Sequence, residues 1–451
     1  MTLSAWKKEI SLGNMFTTLF FFAAAAFIFN AYSIDYSPLF IALILIAYAR
    51  YIKKIENLPP YLDVYLLGSL AILISLVTTV FFKISGYGIA AIGFAILVTV
   101  LFENLEFSLL FSFFISAMAA SIEGGNYGVG VSLFTGSLIA AKLSFRIRHR
   151  SQLMKAGLIG GVVQFLTAFI LNKEQSFLFF PAIDIHLLQI CLLNGLISAI
   201  VVLGILPLFE YVFRVVTNIS LLELSDSNHP LLRRLILEAP GTYSHSLVVA
   251  NLSEAAADAV GANSLLARVG AYYHDVGKML KPNYFVENLV GYRDVHKDLK
   301  PSMSKIIIMN HVKDGIELGR QYHLNSRIID FIEQHHGKTL VYYFYQKAKE
   351  LDPEKEHEED YRYLGPKPQS KEVVIVALAD SIEALSRTLD EPTPARIEET
   401  VRGVVRKRFL EGELDESNLT LNDLEKITQS FIRMLNALFH SRITYPKDSN
   451  P

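Results

Sequence analysis

Histidine and aspartate are concentrated in one interval of this 451-residue chain. Both side chains bind divalent transition metals, through nitrogen or through oxygen. Seven of the twelve histidines lie between His245 and His336, a small part of the chain. The candidate metal ligands are His245, His274, Asp275, His311, His335, His336 and Asp380. Because they come from separate places in the sequence, a folded helical scaffold must bring them together.

The size of this set indicates a site for two metals. Seven nitrogen and oxygen ligands are too many for one tetrahedral ion and suit two six-coordinate ions that share water. Asp275 has two carboxylate oxygens and can bridge both ions. Two ions about 3.5–4 Å apart suit in-line attack on a phosphate by a bridging hydroxide. Lys278, three residues after Asp275, would offset phosphate charge as a point cation.

Composition excludes several other classes of protein. The formal net charge of −2 gives no support to a DNA or RNA partner, since such proteins usually present a basic face. The single cysteine, Cys191, excludes a disulfide framework and a cysteine-based zinc site. Isolated histidines usually have only a structural partner, and we give that interpretation to His229, His296 and His323.

Apolar segments dominate the first part of the chain, residues 1–216. Hydrophobic residues make up 51% of the whole sequence, and its mean hydropathy is +0.33. The apolar runs are residues 15–29, 39–51, 64–82, 89–102, 107–121, 129–143, 156–171 and 187–216. Several are shorter than the roughly 20 residues that cross a bilayer, but short hydrophobic stretches can be accommodated by local thinning of the bilayer. We therefore count each run as a span and predict eight spans, with seven as the alternative. No run has a charged residue at its centre, which leaves a transporter with little support.

Basic residues predict the orientation of these spans. Loops 30–38 and 122–127 contain no lysine or arginine, and the other two loops of that side contain one lysine each. On the opposite side lie Lys7, Lys8, Arg50, Lys53, Lys54, Lys142, Arg146, Arg148, Arg150 and Lys155. By the positive-inside rule, both termini are therefore cytoplasmic.

Residues 217–451 have the periodicity of an all-α domain. Helices are predicted over residues 264–273, 302–311, 326–336, 371–389, 394–409 and 421–441. Residues 349–371 are rich in Glu, Lys and Pro, which predicts a solvated loop insertion. The last membrane helix is predicted to continue into this domain, with a kink at Pro207.

Several stretches carry a resemblance to a known family. They are the segment from HPLLRRLILEAPGTYSHS to AYYHDVGK, and then KPNYFVEN, HHGKTLVYYFYQKA and YLGPKPQSKE. They resemble the seven-transmembrane-receptor HD family of PgpH-type cyclic di-AMP phosphodiesterases, within the HD-domain superfamily of metal-dependent phosphohydrolases. The similarity includes stretches without candidate ligands, such as EAPGTYSHS.

The resemblance implies a fold, a site and a reaction. The fold is a polytopic helix bundle followed by a cytoplasmic, all-helical HD domain. One metal is expected on His245, His274, Asp275 and Asp380, and the other on Asp275, His311, His335 and His336. The metals are iron or manganese, and the reaction is hydrolysis of cyclic di-AMP to 5′-pApA. Lys278, Tyr345 and Arg387 are candidate substrate contacts, and of these only Lys278 rests on a motif.

The sequence departs from the family in the loop at residues 30–38. The family usually carries a large extracellular domain there, so a separate sensor protein is a candidate partner, as is a second copy of the chain. His335-His336 is followed by Gly-Lys-Thr rather than by the Gly-Tyr-Pro of cyclic di-GMP enzymes, which argues against cyclic di-GMP as the main substrate.

We interpret the chain as a multi-pass protein of a bacterial inner or cytoplasmic membrane, in contact with lipid, that hydrolyses a cyclic dinucleotide. Two alternatives stay open: hydrolysis of another cyclic dinucleotide or of a nucleotide by the HD domain, or dinucleotide binding without cleavage by a membrane signal receiver.

Overall fold

The computed structural model describes residues 12–52, 59–171, 184–289, 295–352 and 356–439. These residues form helices and turns, with an isolated bridge between Leu340 and Arg362 and no strand in the described ranges. The prediction of an all-α protein is confirmed. The chain divides into two compact units, residues Met1–Ile219 and Ser220–Pro451. The boundary predicted between residues 216 and 217 lies close to this division.

The described part of the first unit contains the helices α1 to α8. They are Leu12–Ala31, Ser37–Ala47, Tyr61–Leu76, Ala91–Phe102, Leu105–Ile122, Tyr127–Ser144, Arg150–Leu171 and Ile185–Phe213. Four helical stretches are long and apolar enough to cross a membrane: Tyr61–Phe81, Leu105–Ile122, Arg150–Leu171 and Ile185–Phe213. Shorter apolar helices are Phe16–Ala31, Ser37–Arg50 and Gly86–Phe102. Each predicted run overlaps one helix, and the number of spans stays a prediction. The predicted topology also uses lysines at positions 7, 8, 53, 54 and 173, which lie outside the described residues.

Glycines let α7 and α8 pack closely. A Cβ atom on Gly157 would lie 2.3 Å from the carbonyl oxygen of Gly195, and one on Gly195 would lie 2.1 Å from that of Gly157. Beside this contact, Gln164 donates to the carbonyl of Tyr87 at 2.7 Å, and Asn194 donates to Gln164 Oε1 at 3.1 Å. Small residues and buried amide hydrogen bonds are typical of helix contacts in membranes.

The last long helix of this unit does not continue into the next segment, so the prediction of a continuous helix is wrong. Helix α8 runs through Pro207 and ends at Phe213, and Arg214 has a left-handed backbone with φ of 52°. The backbone N–H of Thr217 then donates to Glu210 Oε1 at 2.8 Å. A short helix, α9, follows at Asn218–Leu224. A left-handed residue cannot extend a right-handed helix, and this ends α8.

The second unit is built from helices of ordinary length. Helices α10 to α18 are Pro230–Glu238, Pro240–Ala259, Ser264–Tyr273, Pro301–Gln321, Ser326–Gln334, Tyr342–Leu351, Lys371–Ser386, Pro394–Leu410 and Leu421–Leu438. Side-chain caps begin five of them: Asn263 before α12, Asn325 before α14, Ser370 before α16, Thr393 before α17 and Thr420 before α18. Helix α13 is ten residues longer at its C-terminal end than predicted, since it continues from His311 to Gln321.

The predicted loop insertion at residues 349–371 is not solvated throughout. Its described part contains a 3₁₀ helix, Glu358–Tyr361, and the Tyr361 side chain is 1% exposed. Tyr361 packs with Phe344 and Ala348 of α15 in a small apolar cluster. The charged composition of residues 349–371 gave no indication that Tyr361 is buried. Residues 353–355 of the predicted loop lie outside the described residues.

Candidate metal centre

Three helices and two turns of the second unit supply the candidate ligands. His245 lies on α11, and His311 lies on α13. His274 and Asp275 follow directly after α12, where the chain turns into the 3₁₀ helix Val276–Leu280. The remaining ligands are His335 and His336, directly after α14, and Asp380 on α16.

These side chains form two groups that share one residue. His245, His274, Asp275 and Asp380 have one ligand atom each within 4.8 Å of the others, and so do Asp275, His311, His335 and His336. Asp275 belongs to both groups. All seven residues singled out from the sequence are therefore gathered in one place, and they fall into the two sets that the family resemblance implies.

The two oxygens of Asp275 face different groups. Oδ2 lies 3.2 Å from His274 Nε2 and 3.6 Å from His245 Nε2. Oδ1 lies 3.4 Å from His311 Nε2 and 3.7 Å from His335 Nε2. A carboxylate in this position can give one oxygen to each of two neighbouring cations.

Backbone carbonyls orient three of the imidazoles. The Nδ1 atoms of His274 and His311 lie 2.7 Å and 2.5 Å from the carbonyl oxygens of Ala271 and Ile308. His335 Nδ1 lies 3.0 Å from two carbonyls of α14. A proton held on Nδ1 leaves the Nε2 lone pair facing the centre, as metal-ligating histidines require.

Buried atoms of the centre that lack a hydrogen-bond partner test whether the residues fit a metal. His274 is 0% exposed and Asp275 is 1% exposed. Within the described ranges, neither His274 Nε2 nor Asp275 Oδ1 makes a hydrogen bond. An unsatisfied buried polar atom costs about 1–3 kcal/mol, and more when it is charged. Cations coordinated by these atoms would remove that cost, so the donor set fits divalent metals.

Charges in the centre are strongly coupled. Burial acts to raise the pKa of Asp275, but the charges of His274 and Lys278 hold it well below its usual range. Burial lowers the pKa of His335 to about 3, helped by repulsion from His274. His335 is therefore a neutral imidazole at pH 7, which is the form that binds metals.

Lys278 lies beside the shared carboxylate. Its Nζ is 2.7 Å from Asp275 Oδ2 and 3.0 Å from Glu287 Oε1, and the side chain is 14% exposed. Thr242 Oγ1 also donates to Glu287 Oε1, at 3.2 Å. Gly241 allows this contact, because a Cβ there would lie 1.8 Å from the carbonyl oxygen of Glu287.

Two further residues were not found from the sequence. The ring of Tyr363 stacks on His336, with centroids 4.2 Å apart and planes 22° apart. Glu383 lies one helical turn after Asp380, and its Oε2 is 2.6 Å from His245 Nδ1. The spacing of two carboxylates by three residues in an apolar helix could have indicated Glu383. No pattern in the sequence indicates that the segment YLGP, residues 363–366, packs against the candidate metal centre.

The other two predicted substrate contacts have different neighbours. Tyr345 lies on α15, where its ring is 5.7 Å from that of Tyr361. Arg387 lies after the end of α16, and its Nε donates to Glu383 Oε1 at 2.5 Å. Their predicted role stays a prediction.

The fold and the site define a helical protein. Its first unit is apolar, and its second unit holds two groups of His and Asp side chains that share Asp275. Residues 36–217 match the family described as 7TM receptor with intracellular HD hydrolase, and residues 242–385 match the HD domain. The chain belongs to this family, and it is a membrane protein.

Curated relatives agree with this assignment. The cyclic-di-AMP phosphodiesterase PgpH of Listeria monocytogenes is 37% identical over 88% of this chain and 56% of the relative. The protein of the same name from Bacillus subtilis is 41% identical over 71% of this chain and 45% of the relative. This chain thus spans about half the length of the curated relatives it matches.

A solved structure was also found, that of the HD domain of L. monocytogenes PgpH in complex with cyclic di-AMP. It is 49% identical to this chain and covers 48% of this chain and 100% of that chain, with a TM-score of 0.47.

Proposed function

We propose that this chain is a membrane-anchored, two-metal phosphodiesterase that hydrolyses cyclic di-AMP to 5′-pApA. The observation that carries the proposal is the pair of ligand groups joined through Asp275. A two-metal site of this kind suits in-line displacement at phosphorus. The substrate is taken from the relatives, whose names state cyclic di-AMP phosphodiesterase activity.

The metal assignment follows the two groups. His245, His274, Asp275 and Asp380 would hold one ion, and Asp275, His311, His335 and His336 the other. Iron or manganese suits a set with nitrogen and oxygen donors and no sulfur. When bound, the ions would neutralise phosphate charge and supply a water of lowered pKa as nucleophile.

The other residues bind and orient the substrate. One water is added across a single P–O3′ bond, the phosphate stays on the 5′ carbon, and the 3′ oxygen leaves with a proton. Lys278 lies next to Asp275 and carries a positive charge that can be shared with a phosphate oxygen. Tyr363 stacks on His336 and covers one face of that imidazole ring.

The proposal includes an orientation in the membrane. We infer that both termini and the second unit are cytoplasmic, in the cytoplasmic membrane of a bacterium. The described loop and helix ends between α6 and α7 carry four basic residues within residues 142–150, whereas the described loop between α5 and α6 carries none. This asymmetry supports a cytoplasmic position for the first of these loops.

The test is a turnover assay on the full chain in detergent with Mn²⁺ or anaerobic Fe²⁺. Cyclic di-AMP and cyclic di-GMP are followed separately by chromatography. We expect cyclic di-AMP to be converted to 5′-pApA, and Asp275→Asn to slow turnover by more than about 100-fold, beyond the ~10–100-fold typical of partners outside the ligand set. Asp258→Asn, an exposed position on α11, is the matched control and should retain turnover. Preferential cleavage of cyclic di-GMP, or full activity of Asp275→Asn, would contradict the proposal.

A further inference from the structure

Glu383 is a buried carboxylate that touches one candidate ligand and none of the other described imidazoles of the site. It is 2% exposed, and its Oε2 lies 2.6 Å from Nδ1 of His245. The other nitrogen of the same ring, Nε2, lies 3.0 Å from Asp380 Oδ1. We propose that Glu383 is a positioning residue that keeps the proton of His245 on Nδ1. The ring then directs Nε2 at the metal held by the group that contains His245 and Asp380. The inference rests on the proposed metal binding, but not on the identity of the substrate.

The contact distinguishes His245 from its neighbours. His274, His311 and His335 each place Nδ1 against backbone carbonyl oxygens. Hydrogen bonds to a carboxylate are stronger than those to a neutral carbonyl. Carboxylate partners also make a ligating imidazole more basic and fix its ring orientation. Glu383 therefore strengthens only the group formed by His245, His274, Asp275 and Asp380.

Arg387 completes the arrangement from the outside. Both its Nε and its Nη2 lie 2.5 Å from Glu383 Oε1, whereas His245 is bound by Oε2. The Arg387 side chain is 50% exposed, so its charge is partly solvated while it holds a buried carboxylate. An unpaired buried charge beside Asp380 would be costly. Arg387 thus acts on His245 through Glu383, an alternative to the substrate contact predicted from the sequence.

The proposal is tested by metal binding rather than by turnover. The full chain in detergent is stripped with a chelator and titrated with Mn²⁺ in the presence of a competing chelator. The wild type should bind two Mn²⁺ ions. Glu383→Gln can present an amide N–H to Nδ1 and disturb the tautomer, so it should weaken one of the two sites by about 10–100-fold and leave the other unchanged. Two unchanged affinities would overturn the proposal.

Two further variants separate positioning from folding. Glu372 also lies on α16, and its carboxylate accepts a hydrogen bond from Asn263 N at 2.9 Å. The Glu372→Gln variant removes this carboxylate and should bind both ions normally. If Glu383→Gln fails to fold, Arg387→Ala keeps the proposal testable, because that position is half exposed. Arg387→Ala should weaken the same single site by a smaller factor. An unchanged Mn²⁺ affinity with a raised KM for cyclic di-AMP would instead show a substrate contact and overturn the positioning role of Arg387.

This experiment also separates the inference from the proposed reaction. A wild type that binds two Mn²⁺ ions but cleaves no cyclic di-AMP would refute the reaction, and the comparison with Glu383→Gln would still decide the positioning role. A wild type that binds fewer than two ions would refute the two-metal site, and with it the position assigned to Glu383.

Discussion

At the scale of single residues, the shared carboxylate of Asp275 governs the chemistry of the centre. It is 1% exposed and lies within 4 Å of four imidazoles and one ammonium group. Removing one partner from such a buried set is expected to cost several kcal/mol, because the remaining charges stay unpaired. Asp275→Asn is therefore expected to impair metal binding as well as turnover.

A second carboxylate, Asp423, gives a prediction about stability and pH. Its Oδ2 lies 3.0 Å from Lys371 Nζ and accepts a hydrogen bond from Thr420 N at 3.2 Å. The hydrogen bond from Lys371 lowers the pKa of Asp423 below its ordinary value. A carboxylate whose pKa is lower in the folded state stabilises the fold above its unfolded pKa of about 3.9, and this contribution disappears as the pH falls through the folded value.

Asp423→Asn should therefore lower the apparent Tm at pH 7 but make no difference well below pH 3.9. The expected loss is at most about 1 kcal/mol, because the lysine is partly exposed and an asparagine can still accept the cap hydrogen bond. The measurement is the thermal unfolding of the wild type and of Asp423→Asn between pH 7 and a pH well below about 3.9. A difference in Tm that grows as the pH falls would contradict the assignment.

At the scale of elements, the approach of the 3₁₀ helix Val276–Leu280 to α13 places Asp275 beside His311. Gly277 makes this approach possible, because a Cβ there would lie 1.9 Å from the carbonyl oxygen of His311 and 2.6 Å from Gly315 N. Both of these are backbone atoms, so they can move away only if the whole helix shifts. The distance between two candidate ligands thus depends on one glycine.

Gly277→Ala is expected to destabilise the second unit by about 1–3 kcal/mol, the usual cost of overpacking. It should also reduce Mn²⁺ binding, because His311 would move with α13. Gly319→Ala, a glycine substitution on α13 itself, is the matched control. Its nearest Cβ contacts are side-chain atoms at 3.4 Å, so it should be neutral or stabilise the helix by up to about 1 kcal/mol. Equal Tm values and equal Mn²⁺ stoichiometry for the two variants would show that Gly277 is not needed for close packing.

At the scale of the whole molecule, the predicted topology assigns the loops on either side of α6 to opposite faces of the membrane. Tyr127 lies at the α5–α6 turn and is 81% exposed. His149, between α6 and α7, is also exposed. The native cysteine, Cys191, is buried, so background labelling should be low.

Tyr127→Cys should react with a membrane-impermeant maleimide in intact cells, and His149→Cys should react only after the membrane is permeabilised. The physical reason is the excess of lysine and arginine near residues 142–150, which favours the cytoplasmic side. The unmodified chain is the control for Cys191. Labelling of His149→Cys in intact cells, with Tyr127→Cys protected, would reverse the proposed orientation.

The helical class and the candidate ligand set could both be predicted from the amino-acid sequence. Helix periodicity and caps are local, so Ser264–Tyr273 was predicted at both ends and Pro394–Leu410 within one residue. The ligands were recognisable because histidine and aspartate, the residue types that bind divalent metals, are concentrated in one interval of the chain. Their roles as metal ligands remain a proposal.

Which atoms of the site meet depends on the tertiary structure. The break at Arg214 depends on one left-handed residue, which the apolar pattern of α8 does not reveal. Tyr363 reaches His336 because Tyr361 anchors its segment in a core cluster. Glu383 meets His245 through the packing of α16 against α11. The contacts of Tyr363 with His336 and of Glu383 with His245 join residues far apart in the chain. The hydrophobic pattern specifies which face of a helix is buried but not which side chain it meets.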